Sequence, residues 1–156
     1  MNVLKVSQVI RTHTCRVAIV MSLFNHFITG RLASGCIQRL RHQGVLDHHL
    51  TLVEVPGAVE LPLIAKKLAK TKQYDVIILL GCVIRGDTNH YDYVCQQVSS
   101  GCQKVALEME LPVIFGILTT DDEAQALARV GGPHGHKGID AADAALAMFD
   151  IVKKIQ

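Results

Sequence analysis

Four short apolar runs punctuate the chain: Arg16–Met21, Leu50–Val55, Val76–Ile84 and Pro112–Leu118. They are rich in β-branched residues and nearly continuous rather than alternating. That is the pattern of strands covered on both faces in a parallel sheet. Segments of helical period separate them. Ile28, Leu32, Cys36 and Leu40 recur four residues apart, with Arg31, Arg39 and Arg41 off that stripe, and Gly44 stops the run. Pro56-Gly57 turns the chain into a second stretch, Leu61–Leu68, and Val94, Val98, Val105 and Met109 mark a third. Asp121–Val130 reads as a short helix, broken by the Gly-rich segment Gly131–Gly138. Ile139–Lys154 forms the last, with Asp140 and Asp143 near its start and Lys153-Lys154 at its end to match the helix dipole. This last helix is Ala-rich and apolar on nearly every side, so it is expected to be deeply packed.

The resulting order, β-α-β-α-β-α-β-α-α, predicts an α/β protein. Right-handed crossovers make it a three-layer α/β/α sandwich around a four-stranded parallel sheet. Residues 1–156 read as a single domain, without internal repeat, low-complexity tract or linker. The first ten residues, MNVLKVSQVI, have the makings of an extra N-terminal strand. One domain has no obvious place for it, so residues 1–11 are expected to pair with a neighbouring subunit's sheet edge.

Composition narrows the function classes. With 49% hydrophobic and 19% charged residues, the chain is expected to be globular rather than disordered. A formal net charge of +2, with the basic residues scattered, argues against a nucleic-acid partner. No run is apolar enough to span a bilayer, and no signal-peptide pattern opens the chain. Five cysteines without Cys-x-x-Cys spacing suggest neither a zinc site nor a disulfide framework, and free thiols fit a reducing cytoplasm.

Ligands of open parallel sheets bind beyond the carboxyl ends of the strands. The first strand ends in Ser22-Leu23-Phe24-Asn25-His26; Phe24 is either a flat face for a planar ligand or an aromatic folded back on the core. The second ends in Val55-Pro56-Gly57-Ala58-Val59-Glu60, where small residues let backbone groups approach a ligand. Glu60 is either an acceptor for ligand N–H or hydroxyl groups or a first-turn residue favoured by the dipole. The third runs into Gly81-Cys82-Val83-Ile84-Arg85-Gly86-Asp87-Thr88-Asn89-His90. Turn amides and a helix N-terminus make this a natural anion site, with Thr88-Asn89 as helix caps, although it is neither a Walker A motif nor a dinucleotide fingerprint. His90 beside it is a candidate general acid/base or a plain surface histidine. Phe115 on the fourth run reads as core when taken alone. Arg129 is either a bidentate phosphate clamp or a helix-terminal residue. His134 and His136 lack a third ligand at metal-binding spacing.

Val55–Pro62, Gly81–Tyr93 (GCVIRGDTNHYDY), Pro112–Thr120 (PVIFGILTT), and Lys137-Gly138 with the Ala-rich last helix together resemble the lumazine synthase family. The blocks keep their order from about Arg16 to Lys154, without large insertions. The resemblance implies a flavodoxin-like fold and a transferase of riboflavin biosynthesis. That enzyme condenses 5-amino-6-(D-ribitylamino)uracil with 3,4-dihydroxy-2-butanone 4-phosphate to 6,7-dimethyl-8-ribityllumazine, phosphate and water. It implies two small-molecule substrates, no cofactor and no metal. By motif, Phe24 stacks on the pyrimidine, while Ala58, Val59, Glu60, Cys82, Val83 and Ile84 hold it. Asp87 and Thr88 line the phosphate site, and His90 transfers protons. Phe115 and Arg129 reach into a neighbour's pocket, with Lys137 near the same loop. The resemblance also implies a homo-oligomer, a ring of five that some members stack into a sixty-subunit shell, and leaves room for a riboflavin synthase partner.

Leu23 stands where many members carry Arg, Val59 replaces a common Phe, and Pro133 and His134 alter the Gly-rich loop. Asp87 puts a carboxylate beside the expected phosphate; its side chain is expected to turn away, toward Arg85. Two alternatives remain open. One is another enzyme on this scaffold, such as an archaeal-type riboflavin synthase. The other is a non-catalytic flavin- or lumazine-binding or shell protein.

Overall fold

In the computed structural model, which describes residues 1–156, four strands form one parallel sheet in the order β2-β1-β3-β4. The strands are β1 (Val17–Ser22), β2 (Leu50–Val55), β3 (Val76–Ile84) and β4 (Val113–Thr120). Helices α1 (His26–His42), α2 (Leu61–Lys70) and α3 (His90–Met109) connect them, and α4 (Glu123–Leu127), a hairpin of β5 (Val130–Gly132) and β6 (Gly135–His136), and α5 (Lys137–Ile155) complete the chain. The three-layer α/β/α sandwich read from the sequence is the observed fold.

Strand parity decides which helix covers which face, because successive side chains point to opposite sides. Val17, Ile19, Met21, Val76, Ile78 and Leu80 pack with Ile28, Leu32, Cys36 and Leu40 of α1 and with Ala141, Ala142, Ala145, Leu146 and Phe149 of α5. Ala18, Val20, Ile77 and Leu79 pack with Leu61 and Ala65 of α2 and with Val98, Cys102 and Val105 of α3. The central strands are buried on both faces, and truncating Ile78 to Ala at this fully buried position should cost about 2–5 kcal/mol. The outer strands are not. β2 leaves Leu52 44% exposed and β4 leaves Phe115 36% exposed, so continuous apolar runs here do not mean double coverage.

Three expectations need adjustment. β4 runs two residues further than read, because Thr119 and Thr120 continue the ladder opposite Val83 and Ile84. The helix expected over Asp121–Val130 shrinks to α4, capped by Asp122, whose carboxylate accepts from the Gln125 N–H at 2.8 Å; Val130 instead joins the hairpin, opposite His136. The last helix is buried on one stripe only, with Ala144, Met148 and Ile155 exposed; Ala-rich composition alone does not bury a helix on all sides. Residues 1–11, expected to pair outside the chain, form no strand within it. They lie along α5, where the Asp150 carboxylate accepts from the Ser7 N–H at 2.7 Å and Lys154 donates to the Lys5 carbonyl, leaving Val3, Leu4, Val6 and Val9 exposed.

At the amino ends of the strands, Asp75 accepts from the Arg16 N–H at 2.8 Å and pairs with the Arg16 side chain at 3.3 Å. That ion pair borders a cavity of about 260 Å³ at the amino end, and the chemistry-bearing loops gather at the opposite one.

Candidate functional site

Beyond the carboxyl ends of β1 and β2 the backbone ladder continues for two residues. The Leu23 N–H donates to the Val55 carbonyl at 2.8 Å and the Phe24 N–H to the Pro56 carbonyl at 3.0 Å. Asn25 then adopts a left-handed conformation (φ 60°, ψ 44°), which Asn tolerates better than most residues, and its side-chain amide donates to the Cys82 carbonyl at 2.9 Å. This bond ties the first loop to β3, and Phe24 beside it is 72% exposed.

A cavity of about 460 Å³ opens beside that ring, walled by Phe24, Ala58, Val59, Cys82, Val83, Ile84, Thr88 and His90 together with Gly57, Gly86, Tyr91 and Val94. Ala58–Glu60 form a 3-10 turn leading into α2. Thr88 and His90 meet where α3 begins: the His90 N–H donates to the Thr88 hydroxyl at 3.3 Å, while Asn89, at the cap position, makes no side-chain capping bond. The exposed His90 imidazole therefore sits in the first turn of α3, where N–H groups point outward and anions are favoured. Cys82 is buried, and burial pushes its thiol up to about 11.

Glu60 and Asp87 stand next to this wall without forming part of it. Glu60 is exposed, with its carboxylate folded near Gly57; Asp87 is exposed between Gly86 and Thr88. The partner expected for Asp87 is taken. Arg85 pairs with Asp121 at 3.0 Å and Asp92 at 3.5 Å, and it lies over the Tyr91 ring at 4.2 Å. The hydrogen bond to Asp121 is the main cause holding the Arg85 pKa above its ordinary value.

Tyr91 and Val94 were not among the sequence candidates. Val94 lies one turn on from His90, at i+4, and Tyr91 one turn before Val94, at i+3, so projecting the first turns of the helix is the signal that finds them. Tyr91 is half-buried, and burial raises the pKa of its hydroxyl against an opposing hydrogen bond to Thr119.

Phe115 and Arg129 are elsewhere on the chain. Phe115 lies on the outer strand β4, opposite Leu79 and on the sheet face that carries α2 and α3. Arg129 lines a second cavity of about 300 Å³ with Ile117, Leu118, Thr119, Thr120, His134, Lys137 and Asp140, none of which borders the first. One Arg129 guanidinium nitrogen donates to the Gln125 carbonyl at 2.8 Å, and neither Arg129 nor Lys137 has a carboxylate partner. The two cations are thus uncommitted, unlike Arg85. No group of three or more His, Cys, Asp or Glu side chains is arranged to hold a metal ion, and no helix is long and apolar enough to cross a membrane.

Residues 14–153 match the sequence pattern of the family described as 6,7-dimethyl-8-ribityllumazine synthase. The chain belongs to this family. Two relatives named 6,7-dimethyl-8-ribityllumazine synthase, from Coxiella burnetii strains CbuG_Q212 and RSA 493 / Nine Mile phase I, are each 55% identical over 141 residues, covering 90% of this chain and 93% of theirs. A third of the same name, from strain Dugway 5J108-111, is also 55% identical over 141 residues. The family match contains every residue that borders either cavity and begins after the exposed N-terminal arm.

Proposed function

We propose that this chain is a transferase of riboflavin biosynthesis that condenses 5-amino-6-(D-ribitylamino)uracil with 3,4-dihydroxy-2-butanone 4-phosphate to 6,7-dimethyl-8-ribityllumazine. The observation that carries the reading, beyond family membership, is the cavity between Phe24 and His90 at the carboxyl end of a parallel sheet. An exposed aromatic face, an apolar wall from β3 and backbone groups of the Ala58–Glu60 turn suit a flat, hydrogen-bonding heterocycle. Phe24 stacks on the pyrimidine; Ala58, Val59, Cys82, Val83 and Ile84 shape its pocket, and Glu60 accepts from the ribityl chain or the ring.

The reaction needs a carbinolamine dehydrated to an imine, phosphate expelled, and a ring closed, each step with proton movement. His90, in reach of the same cavity as the heterocycle, serves as the proton carrier, which contributes about 10²-fold or more when well placed. The phosphate binds where Thr88 and the first amides of α3 meet Asp87, which contributes its N–H. Holding two substrates together supplies much of the remaining acceleration.

Arg129 completes the phosphate clamp and Phe115 the apolar wall, each from an adjacent subunit. Both lie away from the Phe24–His90 cavity of their own chain, on the β4 side, so a head-to-tail contact that closes by rotation brings them to a neighbour's cavity. We assign a ring of five, and the exposed arm 1–11 as a strand that adds to an adjacent sheet edge and permits a larger shell. The five free cysteines fit a cytoplasmic setting. Incubation with both substrates should give lumazine absorbance and phosphate in equal amounts, dependent on both; absence of turnover refutes the reading. Light scattering with analytical ultracentrifugation tests the assembly, and a fully active monomer refutes the shared site.

A further inference from the structure

Between the two cavities' residues and the helix that follows lies an imidazole that neither cavity uses for chemistry. His136 closes the β5–β6 hairpin and is the cap of α5. Its Nδ1 accepts from the Gly138 N–H at 3.1 Å and from the Ile139 N–H at 3.3 Å. Histidine is an unusual cap; Ser, Thr, Asp and Asn are the ordinary ones. Here Nδ1 has to be the unprotonated ring nitrogen, because an imidazolium has no acceptor left.

Glycines of three different segments lie against the partly buried ring, whose open side faces a surface cavity of about 490 Å³. A Cβ on Gly35 of α1 would overlap the imidazole, a Cβ on Gly138 of α5 would come within 3.0 Å of it, and one on Gly131 of β5 would touch it at 3.7 Å. Gly131 also has φ +104°, which a larger residue would adopt only with strain. The imidazole thus fills one shared gap among α1, α5 and the hairpin. The backbone carries its position directly to Arg129: His136 is paired with Val130, and the Lys137 N–H donates to the Arg129 carbonyl at 2.8 Å.

We infer that His136 is a positioning residue for the cation pair Arg129 and Lys137, setting the angle of the hairpin root from which both side chains reach the phosphate. The inference rests on the phosphate-clamp reading of Arg129. His136 touches no substrate; it acts on the clamp alone, so its loss is felt by one substrate and not the other.

The test is steady-state kinetics with each substrate varied in turn, on the assembled protein. His136→Ala should raise KM for the keto-phosphate about five- to tenfold, the size of a lost helix cap, with KM for the pyrimidine unchanged. His136→Asn, whose side-chain oxygen accepts the same two N–H bonds, should restore it. Gly35→Ala, on a helix that carries none of the assigned phosphate ligands, should raise the same KM by displacing the ring, and it decides the matter alone if His136→Ala fails to assemble. An unchanged keto-phosphate KM in the folded variants, or equal weakening of both substrates, overturns the inference. Arg129→Ala in the same assay separates the two ideas. If it raises that KM and the His136 and Gly35 variants do not, only the positioning role falls; if it leaves that KM unchanged, the clamp falls and the positioning role with it.

Discussion

Three strands converge on the cavity around Phe24, Cys82 and His90, whereas the cavity beside Arg129 forms at the sheet's edge, where β4 hands over to a two-strand hairpin. The first is walled mostly by apolar side chains and by backbone that the β1, β2 and β3 ladders hold in place. The second brings together Arg129, His134 and Lys137 against the single carboxylate of Asp140. One region has shape without charge, the other charge with little shape. A condensation of a flat heterocycle with a phosphorylated ketone needs both. On the proposal above, assembly is what brings the two regions into one site, and activity then depends on the oligomer.

The contrast is most sharply broken at His90, the proposed proton carrier in the apolar region. His90→Ala should lower kcat about 10²-fold or more without abolishing turnover, since positioning survives and bound substrate or water moves protons less well. Its effect on either KM should be small. An unchanged kcat would return His90 to an ordinary surface residue.

Next in size is the other region's main cation. Arg129→Ala should weaken the keto-phosphate by about 1.5–3 kcal/mol, roughly ten- to hundredfold in KM, and leave the pyrimidine nearly untouched. If His90 and Arg129 serve one site from two chains, mixing His90→Ala with Arg129→Ala subunits after dissociation and reassembly should give more activity than either variant alone. No recovery in well-mixed oligomers would mean that both residues act within their own chain.

The apolar region was the more legible of the two in the sequence. Its residues sit at strand ends, and β2 and β3 begin and end where the apolar runs do. Phe24 could be singled out because it follows the buried run, but the Asn25 side chain that ties its loop to Cys82 makes a contact across 57 residues that no local pattern announces. Val94 escaped because helical periodicity places it on the apolar stripe with Val98 and Val105, and Tyr91 because it was read only as part of the Gly81–Tyr93 block. Around Arg129 the sequence was less informative. Asp121–Val130 has helical composition, yet the turn at Gly131 draws Val130 into pairing with His136. The ion pairs of Arg85 were also misplaced, because Asp121 is remote in sequence and close only through the Ile84–Thr120 register. Separation of the two cavities is a property of the fold, and in the sequence it followed only from family resemblance.

A milder change tests whether the first region works through its aromatic face. Phe24→Ala should weaken the pyrimidine by about 0.5–1.5 kcal/mol, several-fold in KM, with the keto-phosphate less affected. The ring is exposed and packs on nothing in the core, so thermal stability should hardly move. A drop in melting temperature with unchanged KM would assign Phe24 to the fold or to a subunit contact instead.

Smallest of all should be the response at Cys82, although it borders the same cavity as His90. Its side chain belongs to the core beneath α1 and α5, and the group it offers to the site is backbone, with its carbonyl already engaged by Asn25. Cys82→Ala should therefore cost about 1 kcal/mol of stability from lost burial and change neither KM by more than about twofold. Burial lifts the thiol from 9.0 to about 11, so the protonated form prevails at neutral pH and iodoacetamide at pH 7–8 should leave activity intact. The sign for stability follows from the same shift. The folded chain resists ionisation more than the unfolded one, so this contribution is full below pH 9 and is lost as pH rises toward 11. Alkaline unfolding monitored by circular dichroism should be shallower in Cys82→Ala over that window, though not abolished, since buried Cys15, Cys36 and Cys102 are raised to about 12 by the same cause. Rapid inactivation by iodoacetamide at pH 7, tracked to Cys82 by mass spectrometry, would mean that its sulfur faces the cavity as a reactive group, and the apolar region would then carry a second chemical function beside His90.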